Sequence, residues 1–311
     1  MASLKEIKDR MNSVSNTRKI TNAMYLISST KLRKAKMELD KARPYFDLQE
    51  SEIKKIFERR LDVHSHYFYP MKGRKPAETY AYLVITADKG LAGAYNHNVL
   101  RTAEEEMKLH KNVELYVVGS YGRNYFIKKN VPIEKSFLYT AQNPSFRRAR
   151  EISSLLLQRF NERKVDEIRV IYSNMENGMG SNVKISRLLP FDRGSFFGND
   201  AESRFTSVNP TESEITTEYD FFPSVTDVIN NIVPSYVAGF IYGALVDSFC
   251  SEQNARMTAM SSANENATEL LSELSVQYNR VRQAAITQEI TEVSAGAKAE
   301  KNKRKKEAAN K

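Results

Sequence analysis

The most constraining feature of the 311-residue sequence is a stretch from Ala244 to Ala295 that contains neither glycine nor proline. About fifty residues without a helix breaker predict a continuous helix of about 75 Å, at 1.5 Å per residue. Long helices are normally stabilised by packing an apolar stripe. Here the heptad seam that follows Leu245 has few large apolar groups: it reads Ser248, Glu252, Ala255, Ala259, Ser262 and Asn266.

The limits of this C-terminal helix are predicted from two residues that punctuate helices. Pro234 suits the first turn of a helix, where its missing N–H has no partner to lose. Gly296 is the usual kind of residue at a helix stop. The helix is therefore expected over residues 234–296, followed by a basic tail over 297–311 that has nothing to bury.

A second long helix is predicted at the N-terminal end, over residues 1–58. Ser3 and Glu6 have the spacing of a capping box. Pro44 is expected to bend or break the helix late. Apolar residues recur every three or four positions, as a helix seam requires: Leu4, Ile7, Met11, Val14, Ile20, Met24 and Ile27.

The centre of the chain has the alternating pattern of an α/β domain. TYAYLVIT, VELYVVG and VDEIRVIYS are rich in β-branched and aromatic residues, and helical patterns separate them. SNVKISRLLP alternates and is expected to pair at a sheet edge. Strands and helices that alternate predict a largely parallel sheet over residues 75–190. Residues 191–233 are expected to form a loop and foot segment, polar and turn-rich at its start.

The predicted fold class is therefore α/β plus long helices. Two helical ends that are both long and thinly apolar indicate an antiparallel coiled coil, since neither helix can stand alone in water. The α/β domain of mostly parallel sheet would be inserted between them.

The formal net charge of +9 is unevenly distributed. Six basic residues and no acidic residue lie between Arg18 and Lys36, and the tail is a second basic run. Such patches suit phosphate backbones, anionic lipids or acidic protein surfaces, so charge alone leaves the partner open. No run of eighteen apolar residues and no secretory signal is evident, which favours a bacterial or processed protein that does not itself span a membrane.

No motif for catalysis or for cofactor binding is evident. ADKGLAGAYN lies between a strand and a helix, but its Gly90 and Gly93 complete neither phosphate-binding fingerprint, so a structural turn is the preferred interpretation. The single Cys250 excludes an internal disulfide, and it is expected to be a small buried hydrophobe. His64 and His66 lack nearby residues that would complete a metal site. The prediction is no catalytic, cofactor or metal site.

Several motifs, in order along the chain, resemble the gamma subunit of F-type ATP synthases of the bacterial type. ITQEITEVSAGAKA carries that family's C-terminal signature in Ile286, Thr287, Glu289, Glu292, Gly296 and Ala297. The segment KEIKDRMNSVSNTRKITNAMYLISSTKLRKAK and the motifs ADKGLAGAYN, SRLLP, YDFFP and SEQNARMTAM are also similar to the family. The resemblance extends from about Leu4 to Ala299.

The resemblance implies a non-catalytic rotor subunit at the cytoplasmic face of the bacterial cell membrane. Its C-terminal helix would be an axle inside a ring of alpha and beta subunits, coupling ion flow to ATP synthesis or hydrolysis. The expected partners are the alpha and beta subunits, the epsilon subunit and the c-ring, with no nucleic acid and no cofactor. A slim helix of alanine, serine and asparagine would turn past three copies of one surface without locking onto any of them.

The resemblance also implies the partner-contact residues. Lys31, Arg33 and Lys34 would face acidic loops on the beta subunits, with Met24 as an apolar contact nearby. Contacts with the epsilon subunit and c-ring would come from Tyr219 and Phe221. The remaining candidates would meet the inner wall of the ring, the last three of them as one apolar stripe: Arg282, Gln283, Glu289, Ile286, Ile290 and Val293.

Two departures from the family and two rival hypotheses stay open at this stage. The chain adds about a dozen polar residues after the Gly-Ala of the signature, and it lacks the regulatory cysteine pair of chloroplast members. A basic coiled-coil protein that binds nucleic acid would show steeply salt-dependent binding. A small nucleotide-binding enzyme would need a phosphate loop that the sequence does not show.

Overall fold

The computed structural model describes residues 3–58, 65–69, 77–176, 180–192, 222 and 224–309. The chain divides into two compact units. The terminal-helix unit comprises Met1–Leu26 and Thr258–Lys311, and the central unit comprises Ile27–Met257. Two long helices, α1 (Leu4–Glu58) and α5 (Val225–Ala309), contribute residues to both units.

The central unit contains a four-stranded mixed sheet in the order β3-β2-β4-β5. The three neighbouring strands β3, β2 and β4 are parallel, and β5 pairs antiparallel with β4 at the edge. The predicted α/β class, the mostly parallel sheet and the edge position of SNVKISRLLP are confirmed. The strands of this sheet are β2 (Thr79–Ile85), β3 (Asn112–Val118), β4 (Glu167–Glu176) and β5 (Gly180–Leu189). A separate two-stranded sheet consists of the parallel strands β1 (Phe68–Tyr69) and β6 (Phe191–Asp192).

Helices cover both faces of this sheet, which is why its strands read as continuous apolar runs. Alternate residues of β2 enter two separate cores. Tyr82 and Val84 belong to the core that includes residues of α2 (Tyr95–Met107) and α3 (Ser120–Lys128). Leu83 and Ile85 belong to the core that includes residues of α4 (Phe146–Asn161), α1 and α5. The α/β pattern thus arises because β2 is buried on both sides.

Within the central unit, α1 and α5 pair in antiparallel directions. Gln49 Nε2 donates a hydrogen bond to Ser235 Oγ at 2.8 Å. The ring of Phe46 lies 6.1 Å from that of Tyr242. Positions earlier on α1 therefore pair with positions later on α5. The small residues Ala35 and Ala42 pack against the core beside Leu32 and Leu39, which allows the two backbones to lie close.

The terminal-helix unit is joined by polar and small residues. Thr21 Oγ1 hydrogen-bonds Asn264 Oδ1. The predicted capping box is confirmed, since Ser3 N donates to Glu6 Oε2 at 2.8 Å and Glu6 N donates to Ser3 Oγ at 3.2 Å. The buried apolar residues of this unit are few and widely spaced among those described: Ile7, Met260, Ala267 and Leu274.

The predicted limits of the C-terminal helix are wrong. Helix α5 begins at Val225 rather than near Pro234, and it continues through Gly296 to Ala309. Helix α1 extends through Pro44 to Glu58, within the predicted range of residues 1–58, so Pro44 does not break it. A proline or glycine weakens a helix interior without always ending it, because the surrounding turns and packing can compensate. Ile20 and Ile27 are exposed, so the predicted apolar seam does not run through them.

Helix α5 contains a stretch long and apolar enough to cross a membrane by length and composition alone. The expectation that no such stretch exists was therefore too strict. In the structure 67% of that stretch is buried, and Ile229, Val233, Val237 and Ile241 belong to the core of the central unit. Its apolar character is explained by this packing.

Candidate partner-contact surfaces

The basic segment of α1 presents its charges away from the core. Lys31, Arg33 and Lys34 are exposed, whereas the intervening Leu32 packs against the core. Among the described residues, none of these three basic side chains forms a salt bridge within 4.0 Å of a carboxylate. The helix therefore offers unpaired positive charge to an external surface. Met24 lies in the terminal-helix unit and is half-buried.

The C-terminal part of α5 is a helix without tertiary packing. Every side chain from Arg282 to Glu300 is exposed, including those of Gln283 and Glu289. Ile286, Ile290 and Val293 are 46%, 62% and 73% exposed, and their spacing of four and three places them on one face. The predicted apolar stripe is present, and no described residue covers it.

The side-chain hydrogen bonds of Thr287, Gln288 and Thr291 in this exposed segment are local. Thr287 Oγ1 donates to the carbonyl of Gln283 at 2.9 Å, and Thr291 Oγ1 donates to that of Thr287 at 2.8 Å. The side chains of Gln288 and Glu292 hydrogen-bond one turn apart. The pair of Gln288 and Glu292 contributes only about 0.2–0.5 kcal/mol, and threonine bonds to a carbonyl four residues back do not stabilise a helix. A helix of this kind is suited to being covered by another chain.

Tyr219 and Phe221, the predicted contacts with the epsilon subunit and c-ring, lie outside the described residues. His64 also lies outside them. His66 Nε2 is 2.8 Å from Asn161 Oδ1, and this hydrogen bond accounts for its position. The described residues contain no group of three or more metal-ligating side chains.

The loop ADKGLAGAYN is held as a structural turn by Asp88. The Oδ1 atom of Asp88 accepts from Ser120 N at 3.0 Å, and its Oδ2 atom accepts from Ala141 N and Gln142 N at 3.0 and 3.1 Å. The Asn96 side chain fixes the same loop by accepting from Ala87 N. Three backbone N–H groups from outside this loop thus converge on the chain's own carboxylate, which anchors the loop to the start of α3 and to residues 141–142.

Helix α5 occupies the carboxyl edge of the parallel strands. In open α/β sheets this edge is the usual ligand site. Here Ser248 Oγ accepts from Ser173 N of β4 at 3.2 Å, and Ser251 Oγ donates to the Ser173 carbonyl. Arg256 donates to the carbonyl of Gly90 at 3.1 Å. The polar residues of SEQNARMTAM therefore have a structural use, which argues against the rival hypothesis of a nucleotide-binding enzyme.

A buried ion pair in this region was not predicted from the sequence. Arg256 Nη1 lies 2.6 Å from Glu252 Oε1, and the two side chains are only 10% and 5% exposed. Burial raises the pKa of the Glu252 carboxyl, and the charge of Arg256 opposes that shift. The spacing of four residues between opposite charges on a helix was a usable signal. The spacing could not show that tertiary packing would bury the pair.

Cys250 is buried, and burial raises the pKa of its thiol to about 12. The thiol is therefore protonated at neutral pH and poorly nucleophilic. The prediction of a small buried hydrophobe is confirmed.

Comparisons with known proteins agree with these features. A family model described as ATP synthase matches residues 3–299. The ATP synthase gamma chain of Acetivibrio thermocellus is 41% identical over 96% of this chain and 99% of its own length. The sodium ion specific ATP synthase gamma chain of Acetobacterium woodii is 34% identical over 95% of this chain and 98% of its own length.

The fold is also similar to that of chains in solved ATP synthases. A chain of the Euglena gracilis mitochondrial ATP synthase aligns over 95% of this chain and 94% of its own length, with a TM-score of 0.61 and 15% identity. A chain from the central stalk and c-ring of the Tetrahymena thermophila enzyme aligns over 78% of this chain and 99% of its own length, with a TM-score of 0.55 and 23% identity. The family match over nearly the whole chain, together with relatives of this identity, shows that the chain belongs to the ATP synthase gamma-chain family.

Proposed function

We propose that this chain is the rotor subunit that couples ion flow through a membrane ring to ATP synthesis or hydrolysis in a catalytic hexamer. The observation that carries the proposal is the exposed segment from Arg282 to Glu300, with its uncovered stripe of Ile286, Ile290 and Val293. A helix with so little tertiary packing needs a partner to hold it. The inner wall of a ring of alpha and beta subunits would supply that partner.

The coupling would be mechanical. The side chains around the exposed segment differ, so three identical catalytic subunits would each meet a different face of it. Arg282, Gln283 and Glu289 offer polar contacts, and the apolar stripe offers a bearing surface. Each rotational step would favour a different conformation at each catalytic site, because a partner that contacts two states unequally shifts their populations.

The basic segment would form the second contact with the hexamer. Lys31, Arg33 and Lys34 are exposed and carry no described salt bridge. Acidic loops of the beta subunits would pair with them, and Met24 would add an apolar contact nearby. Complementary charge would orient the chain and speed its assembly more than it would raise the affinity.

The remaining contacts complete the proposal. Tyr219 and Phe221 would meet the epsilon subunit and the c-ring. The chain would be peripheral, at the cytoplasmic face of the bacterial cell membrane, in a complex that would translocate protons or sodium ions. The chain itself would hold no cofactor and would not cross the membrane.

The proposal is tested by reconstitution with alpha and beta subunits. The purified chain alone should hydrolyse no ATP, and the three-component complex should sustain turnover. Changing Lys31, Arg33 and Lys34 together to glutamate should impair assembly or turnover strongly, because like charges in a confined interface cost several kcal/mol. Changing them to alanine should be milder.

A matched control uses three exposed lysines of the α/β region, Lys108, Lys111 and Lys128, changed together to glutamate. This variant alters the net charge by the same amount and should assemble and turn over normally. Normal assembly and turnover of the first glutamate variant would show that the basic segment is not an electrostatic contact. Failure of the unaltered chain to assemble with the alpha and beta subunits would contradict the rotor proposal.

A further inference from the structure

The stretch of α1 over residues 4–26, here called the strap, lies outside the core of the central unit. It belongs to the terminal-helix unit with the end of α5. None of its residues is a member of the hydrophobic clusters that hold the sheet and the other helices together. Within residues 4–26, all of which the structure describes, Ile7 is the one buried side chain. The packing that holds the strap is therefore thin.

The strap meets α5 along a regular seam. Half-buried and buried positions recur at alternating steps of three and four on both helices, which is the spacing of an antiparallel coiled coil. The hydrogen bond between Thr21 and Asn264 fixes the alignment. In heptad steps from this bond, the two seams run in opposite directions through Leu4, Ile7, Met11, Val14, Arg18, Thr21 and Tyr25 of α1, and through Val281, Tyr278, Leu274, Leu271, Ala267, Asn264 and Met260 of α5.

This alignment explains where the uncovered part of α5 begins. Leu4, the first residue of α1, falls opposite Val281, which is half-buried. Every side chain from Arg282 to Glu300 is exposed. The strap is thus the cover of α5 up to Val281, and α5 is uncovered where the strap stops.

The strap is also a weak helix by composition. Residues 12–17 read NSVSNT, six consecutive residues that each disfavour a helix relative to alanine. Asparagine, serine and threonine offer the backbone other hydrogen bonds, and valine loses side-chain freedom in a helix. Thr17 Oγ1 donates to the Ser13 carbonyl at 3.0 Å, a bond that slightly destabilises a helix. The strap must therefore take most of its stability from its thin seam.

We propose that in the free chain the strap opens from α5 and loses its helical structure as one unit, while the central unit stays folded. Thinly packed segments open locally at a lower free energy than a buried core. Opening would uncover Met260, Ala267 and Leu274, which are buried in the closed form. The uncovered stretch of α5 would then extend back from Arg282 towards the central unit. In the proposed rotor function, on which this last step rests, the surrounding ring would hold the strap closed.

Hydrogen exchange of the full-length free chain, followed by mass spectrometry, tests the opening. Backbone amides of residues 8–26 should exchange at least about 100-fold faster than those of residues 233–250, which lie in the core of the central unit. The strap amides should also exchange at similar rates, as expected for one opening unit. Equally slow exchange in the two stretches would overturn the proposal.

A variant with a stronger helix sharpens this test. Ser13→Ala, Asn16→Ala and Thr17→Ala together remove three weak helix formers outside the seam. Strap exchange should slow by about fivefold, because the closed helix gains stability over the open chain. The matched control changes three exposed polar residues in helices of the central unit to alanine, and it should leave strap exchange unchanged: Asn98, Asn124 and Ser154. Exchange that responds equally to both triple variants would contradict an opening confined to the strap.

The second measurement compares the free chain with the reconstituted complex of alpha, beta and gamma chains. Strap exchange should slow at least about tenfold on assembly, because a ring that covers the strap binds only its closed form. Exchange of residues 233–250 should change little. A strap that exchanges equally fast in the complex would overturn closure by the ring. Failure of the wild-type chain to assemble would contradict the proposed function instead, since the free chain alone decides whether the strap opens.

Discussion

Residues 229–256 and residues 282–300 of α5 share a helical backbone but differ in what stabilises them. The first stretch is buried in the central unit, with Val233, Ile241 and Ala244 fully covered. It also carries the buried pair of Glu252 and Arg256. In the second stretch every side chain is exposed. The first is stabilised by its own chain, and the second depends on short-range helix contacts until a partner covers it.

This difference shows that helix length alone says little about what a helix does. Burial of large apolar side chains contributes about 1.5–3 kcal/mol each in the first stretch. The second stretch can gain such energy only from its exposed stripe of Ile286, Ile290 and Val293. Identical substitutions in the two stretches should therefore have different effects on the isolated chain.

The largest difference is expected between two arginines of α5. Arg256→Met should lower the free energy of unfolding by about 3–5 kcal/mol, because it leaves the buried Glu252 carboxylate without its partner. Arg282→Met, at an exposed position of the same helix, should change it by less than about 0.5 kcal/mol. Denaturant unfolding followed by circular dichroism measures both. Equal effects of the two substitutions would contradict the assigned burial.

Two glycines of α5 should respond to alanine with opposite signs. A Cβ atom at Gly239 would lie 2.3 Å from Cδ1 of Phe46, whose ring is packed among other aromatic rings. A Cβ atom at Gly296 would meet nothing within 4 Å. Gly239→Ala should destabilise the chain by about 1–2 kcal/mol through overpacking, and Gly296→Ala should stabilise its helix by about 0.5–1 kcal/mol.

Phe46→Leu provides the control for the Gly239 substitution. Leucine removes the ring that the new methyl group would strike, so Gly239→Ala should cost less in that background than in wild type. The same background should not alter the effect of Gly296→Ala. A cost of Gly239→Ala that is unchanged by Phe46→Leu would locate the strain elsewhere.

The loss of unfolding free energy caused by Arg256→Met, the deficit relative to wild type, should depend on pH. Burial raises the pKa of Glu252, and Arg256 opposes that rise, so the variant should carry a still higher folded pKa. Above the ordinary glutamate pKa of 4.5, the folded variant then binds more protons than the unfolded chain, and its stability falls as pH rises. We expect the deficit relative to wild type to shrink by about 1 kcal/mol between pH 8 and pH 5.5. A deficit that grows on acidification would exclude this explanation.

The smallest effect on the isolated chain is expected from removing the exposed stretch. Truncation after Ala285 removes no buried side chain among those described, so the stability of the central unit should change by less than about 0.5 kcal/mol. Ion pumping per ATP hydrolysed in reconstituted vesicles should nevertheless fall, because the apolar stripe is lost. Truncation after Ala299 should leave pumping largely intact. Equal damage by the two truncations would assign a function to the basic tail.

Local sequence patterns identified most of the elements. The capping box of Ser3 and Glu6, the alternation of β5 and the apolar strand β2 were readable because hydrogen bonding and burial repeat at fixed spacings. The stripe of Ile286, Ile290 and Val293 was found for the same reason. Its exposure could not be read, since a stripe that packs within the chain has the same spacing as one that packs against a partner.

The sequence by itself determined the family, the α/β centre, the two long helices and their thinly apolar character. Only the tertiary structure decided that α5 covers the carboxyl edge of the sheet. There Asp88 accepts hydrogen bonds from backbone N–H groups, and Arg256 donates to a backbone carbonyl. It also decided that Gly296 and Pro44 lie inside helices and that Ile20 faces solvent. The physical reason is that periodicity is a property of neighbours in sequence. Burial, ion pairing and the continuation of a helix past a weak residue depend on groups brought together from distant positions.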